Sequence, residues 1–150
     1  LNYAEAMYEL GTTGKALDDA LNISLNLVRL RVNPDMPKLT TSFASENSLN
    51  MREEIRRERT IELYNEGFRV DDLKRWNTAI VEMPKPILGV KWTGTDFATS
   101  WAGASNMAKD SDGCLILENS RRWGSKNDLY PLPVDQCQLN PNLGQNPGWQ

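Results

Sequence analysis

Histidine is absent from the 150 residues, and that absence removes more chemistry than any other feature of the sequence. Without an imidazole there is no His general acid–base catalysis, no Ser-His-Asp or Cys-His triad and no His-ligated zinc. Cysteine is scarce as well: Cys114 and Cys137 are the 2 thiols, too few for a thiolate metal site. Neither lies in a Cys-x-x-Cys, and the sequence leaves one disulfide and two free thiols equally open. No apolar run reaches the ~18 residues of a membrane-spanning helix. An excess of one charge is missing too. The 17 Lys and Arg against 20 Asp and Glu give a net charge of −3, which leaves no electrostatic footprint for nucleic acid or anionic lipid. The sequence therefore calls for no cofactor, no metal and no nucleic-acid partner.

What remains is mainly helical. Residues 1–32 read as a helical hairpin. Tyr3, Ala4, Met7 and Tyr8 share one face, Gly11 stops the first helix, and Leu17, Leu21, Leu25, Val28 and Val32 recur at steps of three and four. Asn33-Pro34 ends the second helix. Tyr3-Ala4-Glu5-Ala6, Glu9-Leu10-Gly11 and Lys15-Ala16-Leu17 look like a tetratricopeptide-type hairpin. A single such repeat cannot bury its own apolar face, so its partners are expected upstream of Leu1. Residues 38–47 read as a polar connection. A long helix is expected over 48–65, capped by Ser48 or Asn47 and closed by Gly67. Another is expected from Val70, with Val70, Leu73, Trp76 and Ile80 on one stripe and Trp76 in a core. Beyond Leu88 helical periodicity disappears among Gly, Trp and Pro. Short strands are expected at 88–92, 114–118 and 129–132, followed by a turn-rich tail with Trp149 as an anchor.

The densest charge feature runs from Arg52 to Glu66, where Arg appears to the exclusion of Lys. Arg suits planar, partly buried ion pairs, so Arg56, Glu58, Arg59 and Glu62 are expected to form a structural network fastening this helix to its neighbours. Paired carboxylates for glycosidase work could be sought in Asp71-Asp72 or in Glu62 and Glu66. Adjacent Asp residues at a helix start are better explained as cap and macrodipole residues, so no catalytic residue is assigned. Asp110-Ser111-Asp112-Gly113 fails as a calcium loop, because Ala108 and Asn119 would stand where acidic ligands belong; a tight turn explains it. The aromatic residues from Trp92 to Tyr130 either pack an irregular segment or offer flat rings to sugar faces. Trp92 and Trp101 are the candidate ligand-binding residues.

Four stretches in order resemble the SusD/RagB family. They are the hairpin; Arg56-Arg57-Glu58-Arg59 through Glu66-Gly67-Phe68-Arg69 to Asp72-Leu73-Lys74-Arg75-Trp76; Lys85-Pro86-Ile87-Leu88-Gly89-Val90-Lys91-Trp92; and Tyr130-Pro131-Leu132-Pro133 with Leu139-Asn140-Pro141-Asn142-Leu143 and Gln145-Asn146-Pro147-Gly148-Trp149. Val70-Asp71 departs from the aromatic pair that members often carry there. The resemblance implies a SusD-like, mainly α fold with a tetratricopeptide-type α/α superhelix. It implies the C-terminal part of a longer surface lipoprotein (1–32 hairpin, 48–82 helices, 88–150 irregular region), held at the outer membrane by an upstream lipid. It further implies a non-catalytic protein that captures a glycan or oligosaccharide, or a peptide in some branches, for a SusC-like TonB-dependent transporter. The competing reading of the residues is a helical-repeat adaptor for a protein partner.

Overall fold

The computed structural model describes residues 1–149, apart from the side chain of Ala102. The chain is mainly α-helical with one small sheet, and it divides into two compact units, Leu1–Arg69 and Val70 onward. Among the described residues no helix is long and apolar enough to cross a membrane.

In the first unit, α1 (Asn2–Glu9) and α2 (Gly14–Asn22) form the hairpin, and Gly11 supplies the left-handed turn with a φ of 82°. The expected second helix is two pieces. It breaks at Ile23-Ser24, where the Ser24 hydroxyl donates to the Ala20 carbonyl at 2.6 Å, and resumes as α3 (Leu25–Val32). The break changes which face is buried. Leu17, Leu21 and Leu25 stay in the core, but beyond them Asn26 and Arg29 turn inward and Val32 lies exposed. The stripe at steps of three and four fails there because it presumes one uninterrupted helix.

The segment read as a polar connection is itself partly helical. Thr40 caps α4 (Thr41–Glu46) by accepting from the Phe43 N–H at 3.1 Å, and the Asp18 carboxylate accepts from the Thr41 N–H at 2.7 Å. The next helix, α5 (Met51–Glu62), starts later than expected. Its cap is Asn50, whose side-chain oxygen accepts from the N–H groups of Arg52 and Glu53, while Ser48 takes a positive φ of 55° outside the helix. Helix α1 packs on α2 and α5, and α3 packs on the same two. Between them lies a core of Ala4, Leu17, Leu21, Leu25, Leu39, Ala44 and Ile55.

Where the second unit starts, α6 (Arg69–Arg75) stops sooner than its apolar stripe suggests, because Asn77 takes a left-handed φ of 56° and separates it from α7 (Ala79–Glu82). Only Leu73 of that stripe is buried. Val70 and Ile80 are exposed, and Trp76 is half-buried with the Arg75 guanidinium 4.9 Å from its ring centroid. Strands β1 (Ile87–Lys91) and β2 (Cys114–Glu118) pair antiparallel, with Leu88 opposite Ile116 and Lys91 opposite Cys114 and register breaks between the pairs.

Residues 129–132 form no strand. Their backbone is satisfied by side chains of the tail instead. The Gln145 amide donates to the Leu132 carbonyl at 2.8 Å and accepts from its N–H at 2.7 Å; Asn146 donates to the Tyr130 carbonyl at 2.6 Å. The Trp149 indole N–H donates to the carbonyls of Lys126 and Leu129, at 2.7 and 3.0 Å, so this ring does anchor the tail. The tail also holds a helix, α9 (Val134–Leu139), that its prolines conceal.

Candidate functional site

Two places deserve the name of candidate site, one in each unit. The first is the charged face of α5. The Glu58 carboxylate takes a hydrogen bond from the Arg29 guanidinium of α3, and both residues are buried, at 7% and 5% exposure. Arg29 Nε also donates to the Pro37 carbonyl at 3.0 Å, so one side chain ties α3, α5 and the loop between α3 and α4. Glu62 accepts two bonds from Arg31, at 2.7 and 3.0 Å. Arg59 donates to the Asn2 amide oxygen at 2.5 Å, with its guanidinium 5.8 Å from the centre of the Phe68 ring. Arg56 lies 3.7 Å from Glu9, and Arg52 makes a two-point contact with the same carboxylate at 2.9 Å for each bond. The Glu9 carboxylate, hydrogen-bonded to Arg52, raises the pKa of that guanidinium above its already high ordinary value. Arg56, Glu58, Arg59 and Glu62 thus each reach an element other than their own helix.

Buried beside them is Asn26, whose amide donates to the Leu39 carbonyl at 2.9 Å and accepts from the Leu39 N–H at 2.8 Å. Sequence reasoning passes over Asn26 and Arg29. The signal that could have found them is their spacing of three, which continues the core face from Leu25 once the helix break is recognised.

The paired carboxylates are dispersed. Asp72 is 4% exposed and ion-paired with Arg75 at 2.8 Å, Glu62 belongs to Arg31, and Asp71 and Glu66 are exposed. The two cysteines are free thiols, Cys114 in β2 and Cys137 in α9, which settles the alternative left open by the sequence. Among the described residues no group of three or more Cys, Asp or Glu side chains could hold a metal ion.

The second place is the aromatic pair at the sheet. The turn Asp110–Gly113 leads into β2: Asp110 Oδ1 accepts from the N–H groups of Asp112 and Cys114 at 3.0 and 2.8 Å. Gly113 has a φ of 80°, and a Cβ there would stand 2.5 Å from Thr93 Cβ. Its carbonyl accepts from the N–H groups of Trp92 and Thr93 at 2.8 and 3.1 Å, which fixes the end of β1 against the turn. Trp92 is consequently buried at 5% exposure, against Ala104, Leu115 and Ala98. Trp101 follows the short α8 (Phe97–Ser100), lies 6.4 Å from Trp92 between ring centroids at an interplanar angle of 50°, and is 57% exposed. Of the two, Trp101 has the exposure that stacking on a ligand requires, and Trp92 stands behind it in the core.

Comparison with known proteins gives one family and one solved structure. A sequence model of the SusD family matches residues 1–149. The chain is similar to the crystal structure of a SusD-like carbohydrate-binding protein from Bacteroides fragilis NCTC 9343, at 27% identity and a TM-score of 0.65. The match covers 93% of this chain and 26% of that one, so the chain spans about a quarter of the length of the protein it resembles. No curated protein matches it.

Proposed function

The chain belongs to the SusD family, and from that membership we propose that the protein binds glycans without turning them over and delivers them to a SusC-like TonB-dependent transporter at the outer-membrane surface. The observation that carries the reading is the match over residues 1–149, together with the likeness to a solved SusD-like carbohydrate-binding protein. The side chains are compatible with a non-catalytic role, since Asp72 and Glu62 are engaged by arginines. In this reading Trp101 supplies a stacking face to the ligand and Trp92 supports it. The α5 ion pairs keep the helical body stiff, as a cover over a transporter requires. Attachment to the membrane comes through a lipid, and an oligosaccharide or, in a variant of the same role, a peptide is the cargo.

Affinity electrophoresis in gels containing neutral and acidic polysaccharides tests the binding. Retardation is expected, and Trp101→Ala should weaken it by about 30-fold if the ring is a stacking hot spot worth ~2 kcal/mol. Affinity purification after gentle detergent extraction tests the partner, and a large β-barrel protein should be recovered. Repeated recovery of a soluble protein instead would favour the adaptor role.

A further inference from the structure

Five arginines of the first unit find carboxylates: Arg29 with Glu58, Arg31 with Glu62, Arg52 and Arg56 with Glu9, Arg57 with Glu54. The second unit is different. There Arg75 pairs with Asp72 and Lys85 with Glu82. Lys74, Arg122 and Lys126 take no part in those pairs. Lys74 Nζ lies 4.1 Å from the centre of the Tyr130 ring and 5.6 Å from that of Trp123, and Lys126 Nζ lies 4.9 Å from that of Trp149. Arg122 donates to the carbonyls of Asn119 and Arg121.

The surroundings of Lys74 and Lys126 are tied together by the tail. The Trp149 indole bonds the carbonyls of Lys126 and Leu129, and Tyr130 follows directly. Of the carboxylates near these cations in sequence, Asp128 accepts from the Trp123 indole at 2.9 Å, Glu118 accepts from the Ser120 N–H, Asp72 pairs with Arg75, and Asp71 is exposed. Tyr130, Arg122 and Lys126 are exposed, while Lys74, Trp123 and Trp149 are half-buried. An ammonium resting on an aromatic face has already given up part of its water and is held in position, so a second, anionic partner meets a lower ordering cost. Sugar rings present apolar C–H faces to aromatic rings. A neutral sugar has no use for two ammonium groups held on aromatic faces rather than in ion pairs, whereas a uronate or sulfated sugar has.

We propose that Lys74 and Lys126, with the rings of Trp123, Tyr130 and Trp149, form a subsite for an acidic glycan carrying uronate or sulfate groups. The proposal rests on the glycan-binding role given above and names the class of glycan. The test is titration calorimetry of the protein with polygalacturonate, dextran sulfate, neutral dextran and inorganic polyphosphate. At least one of the two acidic glycans should bind more tightly than neutral dextran, and which one does so distinguishes carboxylate from sulfate. Lys74→Met and Lys126→Met keep the apolar stem and remove the charge; each should weaken acidic-glycan binding about two- to fivefold, and the pair about tenfold. The Lys74→Arg, Lys126→Arg pair should retain binding, which separates lost charge from lost folding. Binding of neutral dextran alone would overturn this proposal and leave the glycan role standing; no binding to any glycan would overturn both. Unchanged affinity in the Met pair, or equal losses for polyphosphate and the acidic glycans, would also overturn it, the latter by reducing the cluster to a general polyanion sink.

Discussion

Substituting Glu58 by Ala removes the partner of a guanidinium that has almost no access to water. Arg29 is 5% exposed and Glu58 7%, and they face each other between α3 and α5. Arg29 Nε also donates to the Pro37 carbonyl, which cannot neutralise a charge. Breaking a buried pair from one side costs about 3–5 kcal/mol, because the survivor keeps its desolvation penalty and loses its compensation. Arg31→Ala, across the neighbouring pair with Glu62, should cost only about 0.2–1 kcal/mol, since its side chain is 64% exposed. Replacing both buried partners at once, as Arg29→Met with Glu58→Leu, removes the stranded charge. The double variant should therefore lie within about 1–2 kcal/mol of the parent, the residue being the unpaired Pro37 carbonyl. Urea unfolding followed by far-ultraviolet circular dichroism reads all four proteins, with the m-value checked for constancy. If Glu58→Ala cost no more than Arg31→Ala, or if the double variant were as damaged as Glu58→Ala, the argument from burial would be refuted.

Asn26→Ala leaves both backbone groups of Leu39 without partners in a fully buried place, so a loss of about 2–4 kcal/mol is expected. Hydrogen exchange should show the Leu39 amide losing its protection first. Gly113→Ala should cost about 1–2 kcal/mol for its left-handed backbone and more for the overlap with Thr93; a Thr93→Gly background should recover the second part in thermal melts. Hydrogen bonds from Ser120, hydroxyl and backbone N–H, hold the Glu118 carboxyl below its ordinary value. The stabilisation is complete above the unfolded carboxylate's pKa and disappears as pH falls through the lower folded one. A carboxyl-detected nuclear magnetic resonance titration should place the Glu118 midpoint below that of a free glutamate, and a midpoint at or above it would refute this.

The hairpin, the Arg-rich helix and two of three strands can be read from periodicity, glycine placement and β-branched runs, because there the local signal and the tertiary outcome agree. Helix α4 cannot be read in that way. Its residues Thr41 and Ser42 look like a loop until Thr40 caps the turn and Asp18, 23 positions earlier, accepts the Thr41 N–H. The Ile23-Ser24 break is equally silent, and it sends Asn26 and Arg29 inward where a continuous stripe would put Val28 and Val32. In the aromatic region composition marks Trp92 and Trp101 alike. What separates them is the Gly113 carbonyl holding the end of β1, a contact 21 positions away from Trp92. Net charge is silent about location: a total of −3 does not reveal that Arg29 meets Glu58 in the core while Lys74 and Lys126 rest on aromatic rings.

The grip of the tail on residues 126–132 has a consequence for register. Two paired strands can slide by two residues and still present the same faces, since every rung of a backbone ladder is chemically alike. Here the rungs are digits of different lengths: an amide that both gives and takes at Leu132, a shorter amide at Tyr130, and an indole shared by Lys126 and Leu129. Sliding would mismatch all three together, so the alignment works like a key cut for one lock. The chemical memory of that alignment resides in Gln145, Asn146 and Trp149. Drift in the side chains at 130 and 132 leaves the gripped backbone atoms in place, whereas drift in those three loses the fit outright.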